Sequence, residues 1–389
     1  MTRITATMIN TSVQQGIQAN GVRLNDIMSQ IATGKAINQP SDDPVGTSKA
    51  LRLRSQTSRY DQYYRNMQDG QAWLSTADTA LRSGNDSMQR ANELAIQGAN
   101  GTYNALQRDY LKNEVRVLAD QILSISSTTL HGQYIFSGNQ TDKPPFTLEH
   151  GSDTLTNVAN ANGTSLAAVP ATVRLRDTTK TDSATTTGNP AAYDILPGTL
   201  SIPGLVEGTD YTVDYRAGEV RFLTAAATNL AGGAGIRMEF DWIRKSEEDM
   251  EGQVLREVQQ DNTVQVNVTA STAFGDSGKG GTVFDSLVDL MQGLHTNDQG
   301  KVQSSMAGLQ GSLEQLLKAQ TVAGSVANRL QNTQDQNRSD ALVVTKQSSE
   351  VEEIDFTKVV SAYQNRQTVY DAALRVGAKV IQNSLVNYI

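Results

Sequence analysis

The chain ends in VYDAALRVGAKVIQNSLVNYI (residues 369–389), where apolar residues keep a helical spacing up to the last position. One apolar stripe is formed by Leu374, Ala378, Ile381, Leu385 and Tyr388, and a second, beside it, by Val369, Ala373, Val376 and Val380. A helix that carries two apolar stripes needs more than one partner to bury both of them. We therefore expect the first stripe to pack against another helix of this chain and the second, at 369–380, to pack against a neighbouring subunit.

The N-terminal segment offers a matching helix with a single apolar stripe. The run Val13, Ile17, Asn20, Leu24, Ile27 and Ile31 steps by three and four residues, and all its members except Asn20 are apolar. Similar runs recur over 74–95, 111–125 and 309–330. This spacing of about 3.5 residues is typical of helices that wind around one another. All eight prolines lie outside 45–143 and 204–389, so long helices are permitted there.

The middle of the chain, from about 141 to 245, is rich in Thr, Gly, Asn, Pro and Ala and has a different periodicity. YTVDYRAGEVRFLT (211–224) alternates on both sides of a turn, which predicts a β-hairpin. GIRMEFDWI (235–243) and NTVQVNVTAS (262–271) predict further strands, and 151–190 predicts loops and short edge strands.

These patterns predict a mainly α protein with a β insert. The N- and C-terminal arms form a long-helix bundle or coiled coil, and the central β-rich domain projects from the far end of these arms. We expect three domains. Residues 1–40 and 346–389 form a terminal coiled-coil domain for assembly. Residues 41–140 and 246–345 form a helical bundle with a small β-hairpin near 262–272, and residues 141–245 form the outer β-rich domain.

Composition excludes several classes of protein. The net charge of −8 argues against a nucleic-acid partner, which would call for a basic face. The absence of cysteine excludes disulfides and thiolate metal sites. No stretch approaches 18 apolar residues and the first residues are polar, so we expect neither membrane insertion nor a Sec-type signal.

The sequence signals for a catalytic or metal site are weak. FGDSGKGG (274–281) resembles the surroundings of a serine nucleophile and a phosphate loop, but lacks the features either needs, which favours a flexible loop. His131, His150 and His295 are isolated, which argues against a zinc site. PSDDP (40–44) is typical of a turn and a helix cap, which predicts that one helix stops near Asn38 and the next starts near Val45. We expect no enzyme activity, no cofactor and no metal.

Three segments resemble one known family. LNDIMSQIATGKAINQPSDDPVGTSKAL (24–51) is similar to the N-terminal signature of the bacterial flagellar axial proteins, flagellin and the hook-associated proteins. YIFSGNQTDKPPF (134–146) and the C-terminus, which ends in Ser-Leu-x-x-Tyr and a hydrophobic residue, resemble the hook-associated branch. Flagellins usually end in a leucine pair instead.

The resemblance implies a structural subunit at the junction between flagellar hook and filament, arranged as a ring of identical copies. Its implied partners are hook-associated protein 1 (FlgK), flagellin and a FlgN-like export chaperone that binds the C-terminal helix. It also implies export through the flagellar type III apparatus. Two alternatives remain. The chain could be a flagellin, or a secreted enzyme or surface-binding protein that uses Tyr211, Tyr215 and Trp242 of the β domain.

Overall fold

The computed structural model describes residues 6–155, 171–175, 194–223, 236–245, 251–275 and 281–386. The helices are α1 (Ala6–Thr33), α2 (Pro44–Gly98), α3 (Ala105–Ser126), α4 (Ala270–Phe274), α5 (Val283–His295), α6 (Gln299–Glu352) and α7 (Phe356–Val386). The strands are β1 (Thr129–Leu130), β2 (Gln133–Tyr134), β3 (Phe146–Leu155), β4 (Ala171–Arg174), β5 (Tyr211–Asp214), β6 (Glu219–Phe222), β7 (Ile236–Lys245), β8 (Leu255–Gln259) and β9 (Asn262–Gln265).

The chain forms two compact units, which we name the terminal unit (1–65 and 334–389) and the central unit (66–333). The terminal unit contains α1, α7, the first part of α2 and the last part of α6. The central unit contains the rest of α2 and α6, the other helices and all the strands. The division into three domains stays a prediction, since helices and strands share the central unit.

Gly34 and Asp43 shape the connection from α1 to α2. The α1 helix ends at Thr33, earlier than the expected Asn38, because Gly34 takes the left-handed conformation (φ 69°) that commonly terminates helices. The Asp43 carboxylate accepts hydrogen bonds from the main-chain N–H groups of Val45 (3.1 Å) and Gly46 (2.9 Å), which caps α2. The predicted capping role of PSDDP is confirmed.

A helical bundle forms the core of the central unit. The apolar run predicted on α2 is buried there, as are most of the corresponding residues of α3 and α6; its members are Leu74, Ala77, Leu81, Gly84, Met88, Ala91 and Ala95. Small residues in this stripe let helices approach closely. At Gly98 a β-carbon would lie 2.5 Å from Leu294 Cδ2, so no larger residue fits there without movement.

The segment 134–146, singled out in the sequence, fills the core beside α2. Ile135 and Phe136 are fully buried, and the Trp73 indole donates a hydrogen bond to the Ile135 carbonyl (3.3 Å). The Phe136 ring contacts Phe274 edge-to-face, with centroids 5.2 Å apart. Phe146 packs against Phe284 at 4.8 Å. The segment therefore packs helices and strands of the central unit together.

The strands form small antiparallel sheets. β3 pairs with β7 from Phe146–Lys245 to Leu155–Ile236, and β6 lies between β4 and β5. The predicted hairpin over 211–224 and the predicted strand over 235–243 are confirmed. The expectation of a strand through 262–271 is wrong beyond Gln265, because the Thr269 side chain caps α4. Most of 151–190, and 276–280 of the glycine-rich loop, lie outside the described residues.

Candidate assembly surface

The end of α1 and the start of α7 are joined by main-chain hydrogen bonds. The Ala36 N–H donates to the Glu352 carbonyl (2.7 Å), and the Ile354 N–H donates to the Gly34 carbonyl (3.2 Å). Lys35 and Glu353 form an antiparallel β-bridge between these bonds. The two helices leave this joint side by side and antiparallel, so the first and last described residues of the chain lie at the same end of the pair.

A charge pair joins α2 to the end of α6 beside this joint. The Glu352 carboxylate is almost buried and receives two hydrogen bonds from the Arg54 guanidinium, at 2.7 and 2.5 Å. Lys35 Nζ lies 3.9 Å from the same carboxylate. The hydrogen bond from Arg54 lowers the pKa of Glu352, and the charges of Arg54 and Lys35 act in the same direction. Glu352 therefore stays ionised in the folded chain.

Two glycines bring α1 and α7 into close contact. A β-carbon at Gly377 would lie 2.9 Å from Ile17 Cδ1 and 3.3 Å from Val13 Cγ1. Further along, the Tyr370 ring lies 3.6 Å from the position of a β-carbon at Gly21. The seam thus depends on the absent side chain at Gly377, whereas a β-carbon at Gly21 would make an ordinary van der Waals contact.

This seam runs between the two stripes predicted on α7. Its more buried residues follow steps of three and four, at Tyr363, Arg366, Tyr370, Ala373 and Gly377. At about 100° per residue, Val369 and Val376 lie on one flank of this line, and Leu374 and Ala378 lie on the other. Because α1 covers the line between them, neither flank is buried.

The large apolar side chains on both flanks are substantially exposed. The exposed fraction is 50% for Val369, 55% for Val376 and 43% for Leu374. Side chains of this kind stabilise a fold only when water is removed from them. We name these two exposed surfaces, Val369 with Val376 on one side of the seam and Leu374 on the other, the α7 flanks.

The predicted site residues fall into three groups. On α1, the half-buried residues in the seam-facing stripe are Val13, Ile17, Leu24, Ile27 and Ile31. On α7, Ala373 is half-buried, whereas Val369, Leu374, Val376 and Ala378 are exposed. Side chains of Val380, Ile381, Leu385 and Tyr388 lie outside the described residues. We expected Leu374 and Ala378 to belong to a stripe buried within the chain, but the structure leaves both exposed. The face of α7 that contacts α1 contains Gly377 and lies between the two stripes.

The aromatic residues proposed for ligand binding in the β region are buried. Tyr211, Tyr215 and Trp242 are at most 3% exposed. The Tyr215 hydroxyl donates to the Glu207 carboxylate (2.7 Å), and burial raises the pKa of Tyr211 to about 12. These residues pack the sheets, so they do not form the exposed surface that a surface-binding protein would use.

Over the ranges given above, His, Asp and Glu side chains nowhere gather in threes as a metal ion would need. No helix in the described part of the chain combines the length and hydrophobicity needed to cross a bilayer. Sequence reasoning missed Gly21 and Gly377, for which the only available signal is a small residue between two apolar stripes.

A chain whose two ends pair as helices, and which keeps large apolar side chains on the outside of that pair, is typical of subunits that associate with other chains. Residues 4–141 match the family model of the bacterial flagellin N-terminal helical region. The resemblance to flagellar axial proteins is confirmed by this match.

Relatives with known names lie on both branches of this family. The chain is 35% identical over 132 residues to polar flagellin F of Vibrio parahaemolyticus serotype O3:K6, which is 33% of this chain and 35% of the relative. It is 29% identical over 150 residues to flagellar hook-associated protein 3 of Escherichia coli K12, or 38% of this chain and 47% of the relative. The matches thus span about a third to a half of these relatives.

A solved structure shares the fold. A Vibrio parahaemolyticus protein, assigned provisionally to the flagellar hook-associated proteins, superposes with a TM-score of 0.50 at 18% identity. The superposition covers 80% of this chain and all of the other. The predicted fold class, long helices at both ends with a β-rich middle, is confirmed.

Proposed function

We propose that this chain is a structural subunit of the bacterial flagellum, of the hook-associated protein 3 (FlgL) type, that assembles at the hook–filament junction. The observation that carries the proposal is the exposure of the α7 flanks beside a seam already filled by α1. An apolar surface next to a completed helix pair is stabilising only when a further chain covers it. On this proposal the chain is a non-catalytic building block.

The hook-associated branch is favoured over the filament branch by two features. The match to hook-associated protein 3 extends over 150 residues, farther than the 132 residues matched in polar flagellin F. The segment 134–146, whose sequence resembles that branch, supplies Phe136 and Phe146 to the core of the central unit. The segment that resembles the hook-associated branch is therefore part of the core of the central unit, where packing restricts which residues fit.

The proposed partners follow from this position. Copies of the chain form a ring, with hook-associated protein 1 (FlgK) on the hook side and flagellin on the filament side. Before export through the type III apparatus, a FlgN-like chaperone covers the C-terminal helix. In the free chain, α1 and α7 gain most of their stability only on incorporation, because isolated helices are marginal in water and the α7 flanks then remain wet.

Immunogold labelling of isolated flagella tests the location. The expected result is a narrow band at the distal edge of the hook. Label distributed along the filament would instead identify a filament subunit, and label absent from the flagellum would refute both. The matched strain lacks the gene and should show hooks without attached filaments.

A flagellin is the second candidate, favoured by the match of residues 4–141 to the flagellin N-terminal region. The two candidates differ in what the purified chain does alone. A filament subunit elongates without limit when seeded on filament fragments, whereas a junction subunit adds a short layer and stops. Electron microscopy of seeded reactions separates them by the length of the added segment.

A further inference from the structure

A carboxylic acid of the β region, Asp194, is enclosed against the start of helix α5. Only 8% of the residue is exposed, and its backbone is left-handed (φ 52°). Its N–H donates to the Arg216 carbonyl (3.2 Å), and its carbonyl accepts from the Ile243 N–H (3.3 Å). Main-chain hydrogen bonds thus hold the backbone of Asp194 on both sides.

In the part of the chain that the structure describes, one oxygen of the Asp194 carboxyl lacks a hydrogen-bond donor. Within the described residues, Asp194 Oδ1 is buried and has no hydrogen-bond partner. The carboxyl lies within hydrogen-bonding reach of Asp285. Two ionised carboxylates contain only acceptors, so a hydrogen bond between them requires a proton on one of the two.

Asp285 is already committed to other donors. Its Oδ2 accepts from the Thr282 N–H (2.7 Å) in the capping box of α5, and it lies 3.4 Å from the Arg216 guanidinium. In these contacts Asp285 serves as a hydrogen-bond acceptor. The donor in the hydrogen bond between the two carboxyls is therefore a protonated Asp194.

The balance of nearby charge points the same way. Arg216 also pairs with Asp289 (3.3 Å), so one guanidinium faces Asp194, Asp285 and Asp289. Asp214 adds negative charge near Asp289, where Lys301 opposes it. An uncompensated carboxylate in a buried site is costly, and the usual relief is protonation.

We infer that Asp194 and Asp285 share a proton, and that this proton-bridged carboxyl pair attaches the 194–223 region to helix α5 in a pH-dependent way. The attachment is continued along the same helix. Gln292 donates to the Val213 carbonyl (3.0 Å), and His295 lies 3.1 Å from the Glu207 carboxylate. Loss of the proton places two like charges at the start of this contact and weakens it. This inference concerns the central unit and is independent of the proposed function.

The direction of the pH dependence follows from linkage. Burial raises the pKa of Asp194 well above its usual value, and the hydrogen bond to Asp285 and its charge raise it further. The stability contributed by this group is then fully present below the unfolded pKa, near 3.8, and is lost as pH rises through the folded pKa. The contact is therefore weaker in alkaline than in acidic solution.

Replacement of Asp194 by asparagine tests the inference. Asparagine tolerates the left-handed conformation, and its amide donates to Asp285 without a proton. The matched control is Asp261→Asn, since Asp261 is also left-handed (φ 59°) but exposed. Melting of the full chain is followed by circular dichroism between pH 4 and pH 9.

At pH 8 the Asp194→Asn variant should melt about 3 °C or more above the unmodified chain, and the difference should vanish near pH 4. Asp261→Asn should follow the unmodified chain throughout. A lower or equal melting temperature of Asp194→Asn at pH 8 overturns the inference. It is also overturned if calcium raises the melting temperature of the unmodified chain but not of this variant, because the pair would then hold a cation.

Carbon-13 spectra of aspartate-labelled protein give a readout specific to the site. One carboxyl resonance should titrate at a clearly higher pH than the other aspartates of the unmodified chain and be absent from Asp194→Asn. If the resonance that disappears in this variant titrates together with the other aspartates, the proton is not shared and the inference fails.

Discussion

Replacing Val369 and Val376 by serine removes most of one α7 flank without touching the seam. Each side chain is about half exposed, so a neighbouring chain has about half of its surface left to cover. Full burial of such a side chain is worth about 1.5–3 kcal/mol, so the remaining half is worth about 0.8–1.5 kcal/mol. The pair then contributes about 1.5–3 kcal/mol to each contact, or roughly 10- to 150-fold in the association constant. Serine and valine have similar helix propensities, so α7 itself should persist.

Competition for incorporation measures this loss. The tagged variant and the untagged unmodified chain are co-expressed in a strain that lacks the gene, and their ratio in isolated hook–filament structures is compared with their ratio in the cytoplasm. The variant should be depleted at least tenfold. The control is Val117→Ser with Val322→Ser, two exposed helical valines of the central unit. Equal incorporation of the α7 variant, at unchanged cytoplasmic level, refutes the role assigned to the flank.

Three further outcomes are expected. Gly377→Leu forces side-chain atoms into Ile17 and should lower the melting temperature of the full chain, whereas Gly377→Ala should have a smaller effect; identical melting of both with the unmodified chain contradicts the seam. The lowered pKa of Glu352 means that its ionised form stabilises the fold above its unfolded pKa, near 4.5, and that this stabilisation is lost as pH falls through the folded pKa. The melting temperature of Glu352→Gln should therefore fall less steeply with decreasing pH than that of the unmodified chain. Asp43→Ala removes the α2 cap and should cost about 0.5–2 kcal/mol in the free energy of unfolding by urea, and a cost near zero would exclude the capping role.

The helical part of the fold follows from residue spacing alone. The run from Leu74 to Ala95 steps by three and four residues, and the structure buries every member. A helix face is set by local sequence, so its pattern survives whatever packs against it. The hairpin at 211–224 could also be predicted from the sequence, because alternation and a turn are local signals.

Other features depend on contacts that spacing does not encode. The seam on α7 uses Gly377 and the face between the two apolar stripes. Hydrophobic spacing does not identify glycine as a contact residue, so it could not predict this face. The Asp194–Asp285 pair joins positions 91 residues apart, and only the folded chain brings them together. Strand length was overestimated after Gln265 because Thr269 is both a good strand residue and a good helix cap.

The natural chain contains no cysteine, so a single introduced thiol reports on one position without background. Val376→Cys places that thiol on the α7 flank, and its reaction rate with a maleimide can be compared between the free chain and the isolated hook–filament junction. Burial by a neighbouring chain predicts rapid labelling of the free protein and labelling at least tenfold slower after assembly. An equal rate in both states would mean that the flank stays exposed to solvent, which contradicts the central claim.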